Sequence, residues 1–354
     1  MADEDIAEMV RGRWPEARIR ALEPLAGDAG VRSYTRLHLE GDGAPAQIMA
    51  MLFATDGSAR RPEEDGKAAA HDELPFVNLQ RFLASHKIPV PEIFAVAEEK
   101  GVLLLEDLGE TSLADAATRA APEERERLLH EAVALLARIC SLGSAEPAGC
   151  YAFDQLYGAD AIARELEVTV IYGLAHARGL GVTAPGEDPQ LERALQSLGA
   201  RIAALPRGLM HRDYHAWNLH LDAAGKLRVI DFQDATIGPA LYDLASLLTD
   251  RDTDRFVDPT LETTLVQAWG EEMNRLGAAA TAPSSDLQAN YLAAVAYRTL
   301  RVIGRFGVLA LELEKPGYFE RYAPRMAKQA MRALDALGED ELAELLFERS
   351  PIFL

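Results

Sequence analysis

Two short apolar runs, residues 219–221 and 227–230, stand around Asp222-Ala223-Ala224-Gly225 and read as a β-hairpin. From about Gly109 almost to the C-terminus the rest of the pattern is helical, so this hairpin is the one interruption and whatever flanks it is presented on a fixed support. His211-Arg212-Asp213-Tyr214-His215-Ala216-Trp217-Asn218 leads in, and Val229-Ile230-Asp231-Phe232 leads out. An aspartate, an asparagine and a second aspartate are thereby expected at the open end of one hairpin.

Upstream the period changes. Residues 18–25, 33–39 and 47–53 read as strands joined by Gly/Asp turns, residues 54–66 as a polar loop, and residues 73–86 as a helix with Phe76, Val77, Leu79, Phe82 and Leu83 at helical spacing. Pro89 and Pro91 end that helix, and 102–105 is a buried strand stopping at Glu106-Asp107-Leu108-Gly109. The expectation is an α+β chain of two lobes: a small β-rich lobe over 1–108 and a large, mostly helical lobe over 109–354.

Asp, Asn and Asp at this spacing suit phosphoryl transfer. One carboxylate orients an attacking hydroxyl and accepts its proton, while an amide oxygen and a second carboxylate hold magnesium against nucleotide phosphates. Asp and Asn also cap turns commonly, and a lone Asp-x-x-x-x-Asn would be read that way. The second Asp behind a hairpin, followed by Gly238-Pro239-Ala240-Leu241-Tyr242-Asp243-Leu244-Ala245, favours the catalytic reading.

These motifs resemble the aminoglycoside phosphotransferase and choline kinase branch of the protein-kinase-like superfamily, whose loop also reads His-x-Asp-x-x-x-x-Asn. The resemblance implies a bilobal protein-kinase-like fold using ATP and Mg2+, with Asp213 as base and Asn218 and Asp231 as metal ligands. It puts His215 where protein kinases often carry a phosphate-contacting lysine, and it makes His211 and Asp243 supports of the catalytic loop. It further implies that backbone groups near Glu106 and Leu108 hold adenine, and that Gly27, Arg32 and Ser33 belong to the loop over the phosphates.

The strand 47–53, Gln-Ile-Met-Ala-Met-Leu-Phe, lacks the lysine that most kinases place there; Arg32, Arg36 and Lys67 are the candidate replacements. The same absence marks a subgroup that the chain resembles in patches from about Gly27 to Arg325: bacterial anomeric kinases of N-acetylmuramate and N-acetylglucosamine, used in cell-wall recycling. The patches are Gly27-Asp28-Ala29 to Arg36, residues 229–234, residues 238–248, Leu300-Arg301-Val302-Ile303-Gly304-Arg305-Phe306 and Lys315-Pro316-Gly317-Tyr318. After Met49 the subgroup has Asp-Ala-Pro-Pro, whereas this chain has Ala-Met-Leu-Phe-Ala-Thr. For the sugar, the resemblance suggests Asp234 and the 165–172 region, Glu165 first, with Gln233 a further candidate. Another acceptor, such as an aminoglycoside, choline or an amino alcohol, and a pseudokinase that binds nucleotide without turnover, are the competing readings.

Composition narrows the partners. With 354 residues, 49% hydrophobic and 26% charged, the chain has the means to bury a sizeable core. Its net charge of −20 argues against nucleic acid and anionic lipid, leaving a small-molecule substrate as the expected partner. No run approaches the roughly 20 apolar residues of a membrane span, and Cys140 and Cys150 have no metal or disulfide spacing, so a reducing cytoplasm is expected. Oligomeric state is not fixed by any of this.

Overall fold

Ile6 and Val10 recur at helical spacing in α1 (Ala2–Arg13), a helix absent from the sequence expectations, and Trp14 follows just past its end. In the computed structural model, which describes residues 2–25, 32–55, 73–147, 149–154, 156–278 and 287–354, these side chains cover one face of an antiparallel sheet. The sheet comprises β1 (Arg18–Leu25), β2 (Arg32–Glu40), β3 (Gln47–Phe53), β4 (Ile93–Ala97) and β5 (Val102–Glu106), in the order β1-β2-β3-β5-β4. Alternation decides which side chains α1 meets. Leu37 and Leu39 of β2, Ile48 and Ala50 of β3, and Val102 and Leu104 of β5 are two apart on their strands and all join the α1 cluster. Between β3 and β4, Val102, Leu103, Leu104 and Leu105 are buried on both faces of β5, which is why that run shows no polar alternation. The helix expected at 73–86 is α2 (Pro75–Ser85), with Pro75 in its first turn and Phe76, Leu79, Phe82 and Leu83 buried.

The remaining elements are α3 (Leu113–Arg119), α4 (Pro122–Ser141), α5 (Ala159–Val168), a π-helical turn (Thr169–Leu174) continuing as α6 (Ala175–Ala177), and α7 (Pro189–Ala203). Then follow β6 (Arg207–Met210), β7 (Leu219–Leu221), β8 (Leu227–Val229), β9 (Thr236–Pro239), α8 (Leu241–Thr249), α9 (Pro259–Arg275), α10 (Leu287–Leu311), α11 (Gly317–Leu337) and α12 (Asp340–Arg349). The expected hairpin is the β7-β8 pair. It is not the one interruption of the helical region, however, because β6 and β9 form a second antiparallel pair, Arg207 opposite Pro239 and Met210 opposite Thr236. Four residues per strand are too few to leave a period-2 signal.

The chain divides into two compact units. One consists of the described residues of Met1–Thr111, Ala148–Tyr151 and His220–Asp234, so it owns most of the hairpin and Asp231; the other consists of those of Ser112–Pro147, Ala152–Leu219 and Ala235–Leu354 and owns Asp213 and Asn218. Within the second, α10 is the central helix, and α5, the π turn, α8 and α11 all pack on it. Among the described residues no helix is long and apolar enough to cross a membrane, and both cysteines are buried and outside any disulfide.

Candidate active site

The loop between β6 and β7 is fastened from three sides. Asp243, in the first turn of α8, is fully buried and accepts the backbone N–H groups of His211 (2.5 Å) and Arg212 (3.0 Å) on its two oxygens. The Tyr214 hydroxyl donates to the carbonyl of Ala132 in α4 (2.9 Å), and the Ala114 amide at the start of α3 donates to the carbonyl of Ala216 (3.1 Å). Arg212 is held at φ +77°, a left-handed conformation costly for a residue with a Cβ and kept only where surroundings over-determine it. The Asp213 amide donates to His211 Nδ1 (3.3 Å), which assigns the proton of that imidazole to Nε2. Burial pushes the Asp243 carboxyl up to about 7, with the nearby Asp213 adding to the rise and the amide bonds opposing it.

Asp213 and Asn218 are brought together by this loop. The Asn218 amide nitrogen donates to the Asp213 carbonyl (3.0 Å), which fixes the orientation of the carboxamide. Burial raises the Asp213 carboxyl, but Arg301, then His215, Arg212 and His211, more than offset it, so Asp213 sits below the usual carboxylate range. It is an ionised acceptor at neutral pH. His215 lies 3.5 Å from the Asn218 amide through Nε2, and burial holds its imidazole below the ordinary histidine value.

In the other unit Asp231 also has a left-handed backbone, φ +62°. The buried Gln233 amide donates to Asp231 Oδ1 and to Asp234 Oδ2, both at 2.9 Å, fixing one oxygen of Asp231 and tying the two carboxylates to one support. Phe232 is buried against the ring of Phe76, 4.9 Å between centroids. Glu106 accepts Arg228 of β8 through Nη1 (2.8 Å) and Nη2 (2.5 Å), which locks the end of β5 to the hairpin; its own amide donates to Glu92 O (2.9 Å). Leu108 is buried beside it.

Of the cations proposed for the missing lysine, Arg36 is committed elsewhere: buried in β2, it donates to Asp107 (2.5 Å) and Glu110 (2.5 Å) and so braces the segment after β5. Arg32, opposite Phe53 on β3, hydrogen-bonds Tyr34. Burial raises the Tyr34 phenol to about 12, with the Arg32 charge lowering it and the Asp231 charge raising it, so this tyrosine feels both groups. Ser33 pairs with Leu52 in the same ladder. Gly27 and Lys67 lie outside the described residues.

Glu165 is buried on α5, paired with Arg301 (3.1 Å) and with Arg305, both from α10. The sequence reading set Arg301 and Arg305 inside a motif without giving them a role. Their spacing of four on one helix was the available signal.

A scan of family models matches residues 53–282 to the phosphotransferase enzyme family. The chain belongs to that family. This phosphotransferase is 31% identical over 337 residues to the N-acetylmuramate/N-acetylglucosamine kinase of Pseudomonas aeruginosa, covering 94% of the chain and 90% of the relative. It is 29% identical over 321 residues to the protein of the same name in Pseudomonas putida, covering 89% and 85%. Among solved structures it superposes on an ADP-bound aminoglycoside phosphotransferase with TM-score 0.55 at 14% identity, covering 96% of this chain and 99% of the other. The phosphotransferase therefore has the expected α+β, protein-kinase-like fold.

Proposed function

We propose that the protein is an ATP-dependent kinase that phosphorylates the anomeric hydroxyl of N-acetylmuramate and N-acetylglucosamine in the cytoplasm. The observation that carries this reading is the likeness, along nearly the whole chain, to kinases named for those two sugars. The fastened loop presenting an ionised Asp213 supports it chemically.

In this reading Asp213 orients the sugar hydroxyl and accepts its proton as the oxygen attacks the γ-phosphorus, whose bond to the β,γ-bridging oxygen breaks to release ADP. The donor set fits magnesium: a carboxamide oxygen from Asn218 and a carboxylate from Asp231 are hard ligands, and Mg2+ is commonly held by one or two carboxylates with substrate phosphates completing its shell. When bound, that ion would neutralise charge on the phosphates. Arg32, hydrogen-bonded to the Tyr34 that also feels Asp231, takes the part of the absent strand lysine, with Ser33 and Gly27 in the phosphate loop; backbone at Glu106 and Leu108 holds adenine, and His215, beside Asn218, takes the part of the phosphate-contacting lysine of protein kinases. His211 and Asp243 keep the loop in place, and Asp234 and Glu165 contribute to sugar binding.

The test is magnesium-dependent ADP release with N-acetylmuramate, N-acetylglucosamine, glucosamine, kanamycin, choline and no acceptor, followed by phosphorus NMR of the product. Turnover confined to the two N-acetyl sugars, with phosphate on the anomeric carbon, is expected. Turnover only with kanamycin or choline would move the substrate, and nucleotide binding without any turnover would defeat the kinase reading.

A further inference from the structure

Arg36 stands in a row that crosses the sheet, Glu23 on β1, Arg36 on β2, Met49 on β3 and Leu105 on β5, each opposite the next. Directly opposed residues project from one face, and β3 contributes only the uncharged Met49 to the row. From there the Arg36 guanidinium reaches the segment that follows β5. Nε donates to Asp107 Oδ2 (2.5 Å) and Nη2 to Asp107 Oδ1 (3.4 Å), while Nη1 donates to Glu110 (2.5 Å) and lies 3.8 Å from Glu23. The Arg36 and Asp107 side chains are 6% and 3% exposed, so this is a buried, two-pronged pair and not a surface contact. Asp107 Oδ1 also accepts the amide of Gly109 (2.9 Å), whose φ of +77° suits glycine. The carboxylate that Arg36 grips therefore closes the turn around Leu108.

The same segment is tied down on its other side. Arg228 holds the Glu106 carboxylate, which also accepts the Glu92 amide on Oε2 (3.0 Å). Further on, His220 Nδ1 lies 3.2 Å from the Gly109 carbonyl, and the Leu221 amide donates to the Thr111 carbonyl (2.9 Å). All of these residues belong to one compact unit. We propose that Arg36 is a positioning residue for the nucleotide: by gripping Asp107 it fixes the backbone of 106–108 in the shape that holds adenine, and it makes no contact with the phosphates. The inference rests on the proposed adenine site at Glu106 and Leu108 and deepens it, since Asp107 is the residue between those two. Without the pair, these backbone groups would have to be ordered as the base binds, which would weaken every adenine-containing ligand by a common factor. A role as the missing lysine makes the opposite demand, because affinity would then be lost only where phosphates are present.

The experiment measures binding of adenosine, and of ADP with magnesium, by ligand-observed NMR and calorimetry in the wild type, Arg36→Lys and the double variant Arg36→Met/Asp107→Asn. The double variant leaves no buried charge unpaired and keeps an oxygen for the Gly109 amide, so the grip of Arg36 is what is lost. Both dissociation constants are expected to rise by the same factor, ~10-fold in the double variant, equivalent to ordering about one backbone residue on binding. Arg36→Lys keeps the charge without the fork and should raise both by a smaller common factor. In turnover the change should appear in KM for ATP, with kcat at saturating ATP and KM for the sugar within about twofold of wild type. If the double variant fails to fold, Arg36→Lys decides. A rise for ADP with adenosine unchanged would make Arg36 a phosphate ligand and overturn the inference. So would unchanged affinity for both ligands, a matching loss in kcat and in KM for the sugar, or a wild type that binds ADP but no adenosine. Each of these leaves the kinase reading standing where the wild type turns over, whereas a wild type that binds neither ligand overturns both.

Discussion

Asp213 can be proposed from the sequence as the base because Asn218 lies five residues on and Asp231 follows the hairpin, and what could not be read is why its carboxyl stays ionised. Burial alone would push its carboxyl up, and the group that does most to reverse this, Arg301, sits far along the chain on α10. A single sequence pairs neighbours by spacing but not residues that only the fold brings together. The reverse holds for Glu165: the resemblance suggested a sugar-binding acid, and the structure buries it between two guanidiniums. Asp213→Asn keeps the side-chain volume and leaves the carbonyl that Asn218 bonds untouched. It should lower kcat ~10²- to 10⁴-fold, the range for losing a positioned base, while nucleotide binding measured by calorimetry stays close to wild type. Full turnover in this variant would remove Asp213 from the role of base.

At the level of elements, the strands and helices with long runs were readable, and the close approaches were not. Strands β1 to β3, helix α2 and the hairpin fall where periodicity and turn residues put them. Helix α1 and the β6-β9 pair do not announce themselves, the first because its apolar stripe is sparse and the second because its strands are short. The π turn is the case with most bearing on function. It lies directly against α10, so that a Cβ at Gly304 would stand 2.8 Å from the Thr169 Cα and one at Gly307 2.5 Å from the Tyr172 carbonyl carbon. These two glycines admit backbone to backbone contact, and that contact brings α5, with Glu165, within reach of Arg301 and Arg305. Gly307→Ala therefore forces the two elements apart, because the obstacle is main chain and cannot rotate away. A loss of about 1–3 kcal/mol is expected from urea unfolding, the usual cost of overpacking. The same variant should reduce turnover although it touches neither Asp213 nor nucleotide. An unchanged urea midpoint would mean that α10 and the π turn are less tightly seated than their spacing implies.

For the whole molecule, the surplus of acid in the composition sets solubility, whereas the few buried carboxylates set how stability depends on pH. Burial opposes ionisation of Asp250, but Arg298 (2.7 Å), then His215 and Arg251, hold its carboxyl well below the usual range; Asp213 is lowered in the same way. A group lowered in the folded state adds stability that is present above its unfolded value near 4 and is lost as pH falls toward the folded value. Asp243 has the opposite sign. With its folded value raised to about 7, its contribution is full below about 4 and is lost as pH rises through 7. Two limbs follow: an acid limb from Asp250 and Asp213, steepest below about pH 4, and a shallow decline from about pH 4 to 7 owed to Asp243. Urea midpoints measured from pH 3 to 9 should thus peak near pH 5. Asp250→Asn should flatten the acid limb, at a large cost in absolute stability because it leaves Arg298 buried beside a neutral amide. Asp243→Asn should remove the neutral decline. If the midpoint were instead flat from pH 3 to 5 in the wild type, the Asp250–Arg298 pair would not be ionised as its burial and geometry require, and the cationic surroundings assigned to Asp213 would need revision with it.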